Sequence, residues 1–236
     1  MLESRFMTRV GRLAVLLLAF TLFGQSVSEV EITAEPHHHL ALENQYVRVF
    51  EVDVPPHEST LMHRHRHDYV FVTLGASEVS NEVEGKPAAM LKLQDGETRF
   101  TPGNFAHIAR NLASTPFRNV TIEFLQDKAA SQAKWDQERG QNVLTGGTQE
   151  ILFVKDGVRV SEIELQPGGV LPKHRHTGPH LVVAISDLDL RNDVEGKPAS
   201  SAELKSGDIK WIAGGYTHML TNVGKQQAKF VTLEFR

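Results

Sequence analysis

The sequence predicts an all-β protein made of two copies of one domain, and three observations carry that reading. The segment VEGKPA occurs at residues 83–88 and again at 194–199. Sliding the chain on itself by 111 residues aligns 47–124 with 158–235 without a gap, and 25 of the 78 paired positions are identical. A period that long marks duplicated domains, since solenoid and propeller units run to only about 20–50 residues. Within each copy VRVFEVDV, YVFVTL, VRVSEIEL and LVVAI are β-branched or aromatic runs, separated by clusters of Gly, Pro, Asn and Asp. Neither copy holds a 3.6-residue period for three turns. Many short strands with regular turn signals predict antiparallel sheets, a sandwich or barrel of the jelly-roll kind, in two tandem copies.

The elements follow in chain order. Arg5, Arg9 and Arg12 precede an apolar run over residues 13–24, which is the length of a signal-peptide core and short for a bilayer span. Residues 1–28 are therefore expected to be an export signal, cut after Ser26-Val27-Ser28, leaving a periplasmic or secreted protein with no membrane partner. His37, His38 and His39 read as a disordered polar tail behind that cut. The first domain is expected over 29–125 and the second over 150–236. A connector over 126–149 contains QDKAASQAKWDQER, a short helix by its Ala, Lys, Gln and Glu content, followed by Gly140, Gly146 and Gly147. VEGKP reads as a turn, in which Gly85 or Gly196 supplies a permissive φ and Pro87 or Pro198 limits continuation.

Composition removes several classes of function. With 29 acidic against 25 basic residues and a net charge of -4, no basic face is available for phosphates, and nucleic acid is not expected as a partner. Zero cysteines exclude disulfides, thiolate nucleophiles, iron–sulfur clusters and sulfur-ligated zinc. Serine-hydrolase, P-loop and dinucleotide fingerprints are missing. Any metal must be held by nitrogen and oxygen, and the chain has twelve histidines.

Three histidine pairs survive the 111-residue shift: His63 with His174, His65 with His176, and His107 with His218. Residues two apart on a strand share a face about 6.5–7 Å apart, so HxH aims two imidazoles one way. The third joins them only if another strand lies alongside. Neutral imidazoles suit Zn, Cu, Fe and Ni, and Mn remains open. Ligation needs them deprotonated, so affinity should fall below about pH 6. Glu123 and Glu234 share a place on the last strand; they read as outward and solvated, or else as acceptors for a ligand histidine's second nitrogen. Phe105 and Tyr216 precede the third histidines by two residues and read as core or rim; the Tyr216 hydroxyl is the candidate acid or base. His57 and His67 read as exposed.

These residues resemble the cupin family, each copy one cupin and the whole a bicupin, over about 156 of the 236 residues. The first cupin motif is met by Gly168, His174-Arg175-His176 and, where the family has Glu, His180. Copy one supplies His57 at the glycine position, His63-Arg64-His65 and Tyr69 at the Glu position, with His67 or Asp68 as neighbours. The second motif is met by Gly96, Pro102, Asn104, His107 and Asn111, and by Gly207, Ala213, Gly215, His218 and Asn222. The resemblance implies a divalent transition metal (Fe, Zn, Ni, Cu or Mn) on His174, His176, His180 and His218, and on His63, His65 and His107. It implies a metal-dependent enzyme acting on a small organic molecule, with dioxygenase chemistry first and a lyase or isomerase next. The alternative is a non-catalytic metal or small-ligand binder. A homo-oligomer is compatible with either.

Overall fold

The computed structural model describes residues 28–126, 140–155 and 157–235. Apart from one 3-10 turn at Ile32–Ala34, every regular element among them is a strand, so the all-β expectation holds. The first copy carries β1 (Val30–Glu31), β2 (His38–Glu43), β3 (Val47–Val54), β4 (His63–His65), β5 (Tyr69–Leu74), β6 (Ser77–Val83), β7 (Ala89–Leu93), β8 (Thr98–Thr101), β9 (Phe105–Asn111) and β10 (Phe117–Phe124). The second carries β11 (Gly140–Lys155), β12 (Val158–His176), β13 (His180–Ala184), β14 (Leu188–Val194), β15 (Ser200–Leu204), β16 (Ile209–Ile212), β17 (Tyr216–Asn222) and β18 (Ala228–Phe235).

Two expectations change here. His38 opens β2, which pairs with β3 from His38↔Val52 onward, so residues 38 and 39 are strand and not a polar tail. Residues 140–149, expected in the connector, belong to β11, which pairs with β12 from Thr145↔Val170 onward. The export signal, apart from Ser28, and the connector helix beyond Gln126 lie outside the described residues. Among the described residues no helix is long and apolar enough to cross a membrane.

In the first half the strands form two five-stranded sheets, β1-β4-β9-β6-β7 and β2-β3-β10-β5-β8. In the second half the corresponding strands join into one barrel-like sheet, β15-β14-β17-β12-β18-β13-β16, with β11 on β12. The joint is β12, which pairs with β18 from Val158↔Phe235 to Leu165↔Ala228 and then with β17 from Val170↔Thr221 to His176↔Tyr216. The VEGKP segments are turns: the Lys86 and Lys197 amides donate to the Val83 and Val194 carbonyls, with φ of 71° at Gly85 and 75° at Gly196.

Side-chain alternation sorts the apolar residues onto two sides of β3, β10, β12 and β18. Val47, Val49, Val120 and Ile122 face Val158, Val160, Val231 and Leu233, forming one core between the halves. Phe124 and Phe235 meet edge to face at its end, with centroids 6.3 Å apart. The opposite faces look into each half, where Phe50, Val52 and Leu93 form one inner cluster and Ile163, Leu165 and Phe230 another. Where the two clusters flank them these strands are buried on both faces, and polar residues there such as Thr121, Glu123, Ser161 and Glu234 are buried and not in solvent.

Candidate metal centres

Strand register places the histidines. His174 lies opposite His218 across β12 and β17, and His63 lies opposite His107 across β4 and β9. The second HxH histidine, two residues on, shares the face. In the second half the Nε2 atoms form a near-equilateral triangle: 3.0 Å from His174 to His176, 3.1 Å from His176 to His218 and 3.0 Å from His218 to His174. Nitrogens about 2.1 Å from one ion are about 3.0 Å apart at right angles and about 3.4 Å apart in a tetrahedron. The triangle thus has the shape of one face of an octahedron.

The tautomers agree. His174 Nδ1 donates to the Pro172 carbonyl at 2.8 Å and His218 Nδ1 donates to Asn192 Oδ1 at 2.8 Å. His176 Nδ1 lies 3.4 Å from Glu234 Oε1, and Arg159 sits 2.5 Å from the other oxygen of that carboxylate. With each Nδ1 facing an acceptor, three Nε2 lone pairs face one another, an arrangement that a cation satisfies. Burial pushes Glu234 up, but His176 and Arg159 outweigh it and hold the carboxylate below its ordinary range. Burial lowers His218 to about 3, so that ring is neutral and ready to ligate.

His180, a candidate fourth ligand, does not join this triangle. Its ring stacks on His176 with centroids 3.9 Å apart, and its Nε2 lies in hydrogen-bond contact with the Tyr216 hydroxyl at 3.2 Å. Burial lowers His180 to about 3 and raises Tyr216 to about 12. The group opens into a cavity of about 480 Å³ whose walls include Tyr216, Leu188, Leu190 and Phe230, with Lys197 and Lys210 also lining it.

In the first half His63, His65 and His107 are all buried, with ring centroids 4.5–5.1 Å apart. His63 Nδ1 donates to the Leu61 carbonyl and His107 Nδ1 to Asn81 Oδ1, which leaves both Nε2 atoms buried without a partner. Orphaned buried acceptors of this kind fit a metal ion. Burial lowers His63 to about 4 and takes His65 and His107 well below the ordinary histidine value. Tyr69, at the position of His180, stacks on His65 at 4.1 Å and does not reach in as a ligand. Asp68 Oδ1 instead accepts from the Gly103 amide at 2.8 Å, holding the loop. Phe105 packs on His65 at 5.8 Å. The cavity here is about 280 Å³, with Phe71, Leu91 and Phe100 beside Asn81, Arg99 and Thr121 in its lining.

No family model matches the chain, and no curated protein matches it in sequence. Solved structures match its backbone. One oxalate decarboxylase superposes with a TM-score of 0.60 at 13% identity, covering 81% of this chain and 69% of its own. The Bacillus subtilis oxalate decarboxylase studied for its Mn(II) centres superposes with a TM-score of 0.60 at 11% identity, covering 86% and 76%. AerE from Microcystis aeruginosa does so with a TM-score of 0.58 at 13% identity, covering 86% and 98%. This is a cupin fold. At such identities the likeness speaks for fold alone.

Several residues at the centres lie outside the cupin motifs. Asn81 and Asn192 orient the third histidines, and both are kept across the 111-residue shift just ahead of VEGKP. Arg48 and Arg159 are another preserved pair: Arg48 Nη1 lies 3.6 Å from Glu123, the counterpart of Arg159 beside Glu234. Glu123 and Glu234 are buried and inward, contrary to the outward reading, because β10 and β18 have no solvent face there. Burial raises Glu123 to about 7, its arginine being too far away to offset the desolvation. Asn111 and Asn222, which close the second motif, tie their strands to the Val54 and Leu165 carbonyls.

Proposed function

We propose that this chain is an exported, metal-dependent bicupin enzyme, two tandem jelly-roll barrels of which the second holds the reaction centre on His174, His176 and His218. The observation that carries this reading is the triangle of three Nε2 atoms, two of them on rings fixed through Nδ1, at the wall of the larger cavity. A divalent transition metal there supplies a Lewis acid with positions left for a small organic substrate, or for dioxygen.

The chain's own groups do the rest. Tyr216, neutral at ordinary pH, lies 3.2 Å from His180 Nε2, and the two form a hydrogen-bonded pair at the cavity wall that can pass one proton to or from a substrate. Glu234 and Arg159 hold His176 in orientation. Lys197 and Lys210 favour an anionic substrate, and Leu188, Leu190 and Phe230 hold its carbon skeleton out of water. Oxygen-consuming chemistry of the dioxygenase type is the leading reaction class. The Tyr216–His180 pair equally supports proton transfer without oxygen, as in a lyase or isomerase.

The test is metal content per chain for the parent and for His176→Ala, followed by turnover of small carboxylated and hydroxylated compounds with and without dioxygen. The expected result is a metal lost with His176 together with turnover. A His176→Ala protein that keeps its full metal content and turnover would overturn the assignment.

A further inference from the structure

The first half contains a feature that neither the cupin motifs nor the duplicated stretch supplies. His38, on β2, brings its ring to 4.7 Å from His63 and 6.2 Å from His65, centroid to centroid. Its side chain is 5% exposed, and the ligand atoms of His38, His63 and His65 lie within 4.8 Å of one another. Three residues before it, Glu35 is wholly buried. One Glu35 oxygen accepts from His38 Nδ1 at 2.6 Å and from the His37 amide at 3.0 Å, and the other accepts from the Leu61 amide at 3.0 Å. The Leu61 carbonyl in turn receives His63 Nδ1 at 2.9 Å. Glu35 and Leu61 thus form one support that fixes both rings with their protons on Nδ1, leaving both Nε2 lone pairs for a common target. A buried carboxylate without such donors would be costly, so its placement here is best explained by the ring it orients.

We propose that His38 is a ligand of the first half's metal centre beside His63 and His65, with Glu35 as its positioning residue, and that it gives this centre an imidazole donor that the second half does not have. The second half lacks both residues. β2 pairs His38 with Val52 while β11 pairs Gln149 with Ile163, both shifted by 111, so Gln149 stands where His38 does. By the same shift Gly146 stands where Glu35 does. This inference extends the metal-enzyme reading, but its test is separate.

The experiment uses the full chain carrying His174→Ala and His218→Ala, which silences the second centre, with cobalt(II) as the probe. Chelator competition gives the affinity, and the visible spectrum reports the donor set. The expected result is one cobalt per chain. His38→Gln should weaken it by more than the about 100-fold upper end for loss of an orienting partner, with a changed spectrum. Glu35→Gln should weaken it about 10- to 100-fold with the parent spectrum kept. His39→Gln, on the exposed side of β2, should change neither. Thermal unfolding of each variant without metal controls for folding. A His38→Gln chain that is folded and binds cobalt with unchanged affinity and spectrum would overturn the proposal, as would no cobalt in the background chain. The converse chain, His63→Ala with His107→Ala, tests the second centre alone, so either reading can fail without the other.

Discussion

The two halves hold the same three histidines on the same paired strands, and they differ in what surrounds them. In the first, Tyr69 and Phe105 cover His65, His38 stands beside His63 and His65, and the cavity is about 280 Å³ with one cation, Arg99, in its lining. In the second, His180 and Tyr216 take the places of Tyr69 and Phe105, Gln149 takes that of His38, and the cavity is about 480 Å³ with two lysines in its lining. Duplication kept what positions a metal and changed what meets a substrate. Under the proposed function the contrast gives the first centre a holding role and the second a reacting one.

The largest test of that contrast is a pair of deletions. His218→Ala should reduce turnover at least about 10³-fold, the loss of several kcal/mol of charge stabilisation, while His107→Ala should leave most turnover and lower thermal stability. Steady-state rates and metal content on both variants decide it. Equal loss of turnover from the two would mean that the halves do not divide the work.

Acid should act next most strongly. Burial holds His63 at about 4 and His180 and His218 at about 3, while in the unfolded chain they titrate near about 6.5. Between those values the unfolded chain binds more protons. The contribution of these three histidines is therefore full above about pH 6.5 and falls as pH drops, by up to about 1.4 kcal/mol per pH unit for each, while Glu123, raised to about 7, acts in the opposite sense and offsets part of it. The contribution of His63 reaches its limit near pH 4, those of His180 and His218 near pH 3. Urea midpoints of chelator-treated protein between pH 7.5 and 4 check this, and a flat profile would contradict neutral buried rings.

A smaller effect is expected from the asparagines that orient the third histidines. Asn192→Ala and Asn81→Ala should each weaken metal binding about 10- to 100-fold at its own half only. Chelator competition on each variant measures it. Cross-talk between the halves would show that the shared core couples them.

Much of this arrangement was legible in the sequence, and the reasons for the exceptions are physical. The repeat and the HxH spacing gave the strands and the three histidines of each half, because period 2 fixes which side chains share a face. His38 escaped because the ungapped similarity begins only at residue 47, and because three adjacent histidines look polar throughout. On a strand, however, His39 faces out and His38 faces in. Glu123 and Glu234 escaped for a different reason. An apolar-in, polar-out reading assumes that a strand has one wet face, whereas β10 and β18 turn Ile122 and Leu233 toward the other half and their carboxylates toward a cavity. His180 stands outside the triangle because spacing places a side chain beside it without fixing whether its edge or its face points there.

The smallest prediction isolates a backbone difference from everything else. His57 holds φ at 63°, and its counterpart Gly168 holds 77°. The left-handed region costs a non-glycine residue about 1–2 kcal/mol, and glycine's looser unfolded state gives part of that back. His57→Gly should therefore stabilise the protein by about 0.5–1 kcal/mol, and Gly168→Ala should destabilise it by about 1 kcal/mol. A Cβ at residue 168 would meet no atom within 4 Å, so packing contributes nothing to the second change. Denaturant midpoints of the two variants should move in opposite directions. If both fall, His57 makes a contact worth more than its strain, and the early glycine of the second copy is then the derived state and not the relaxed one.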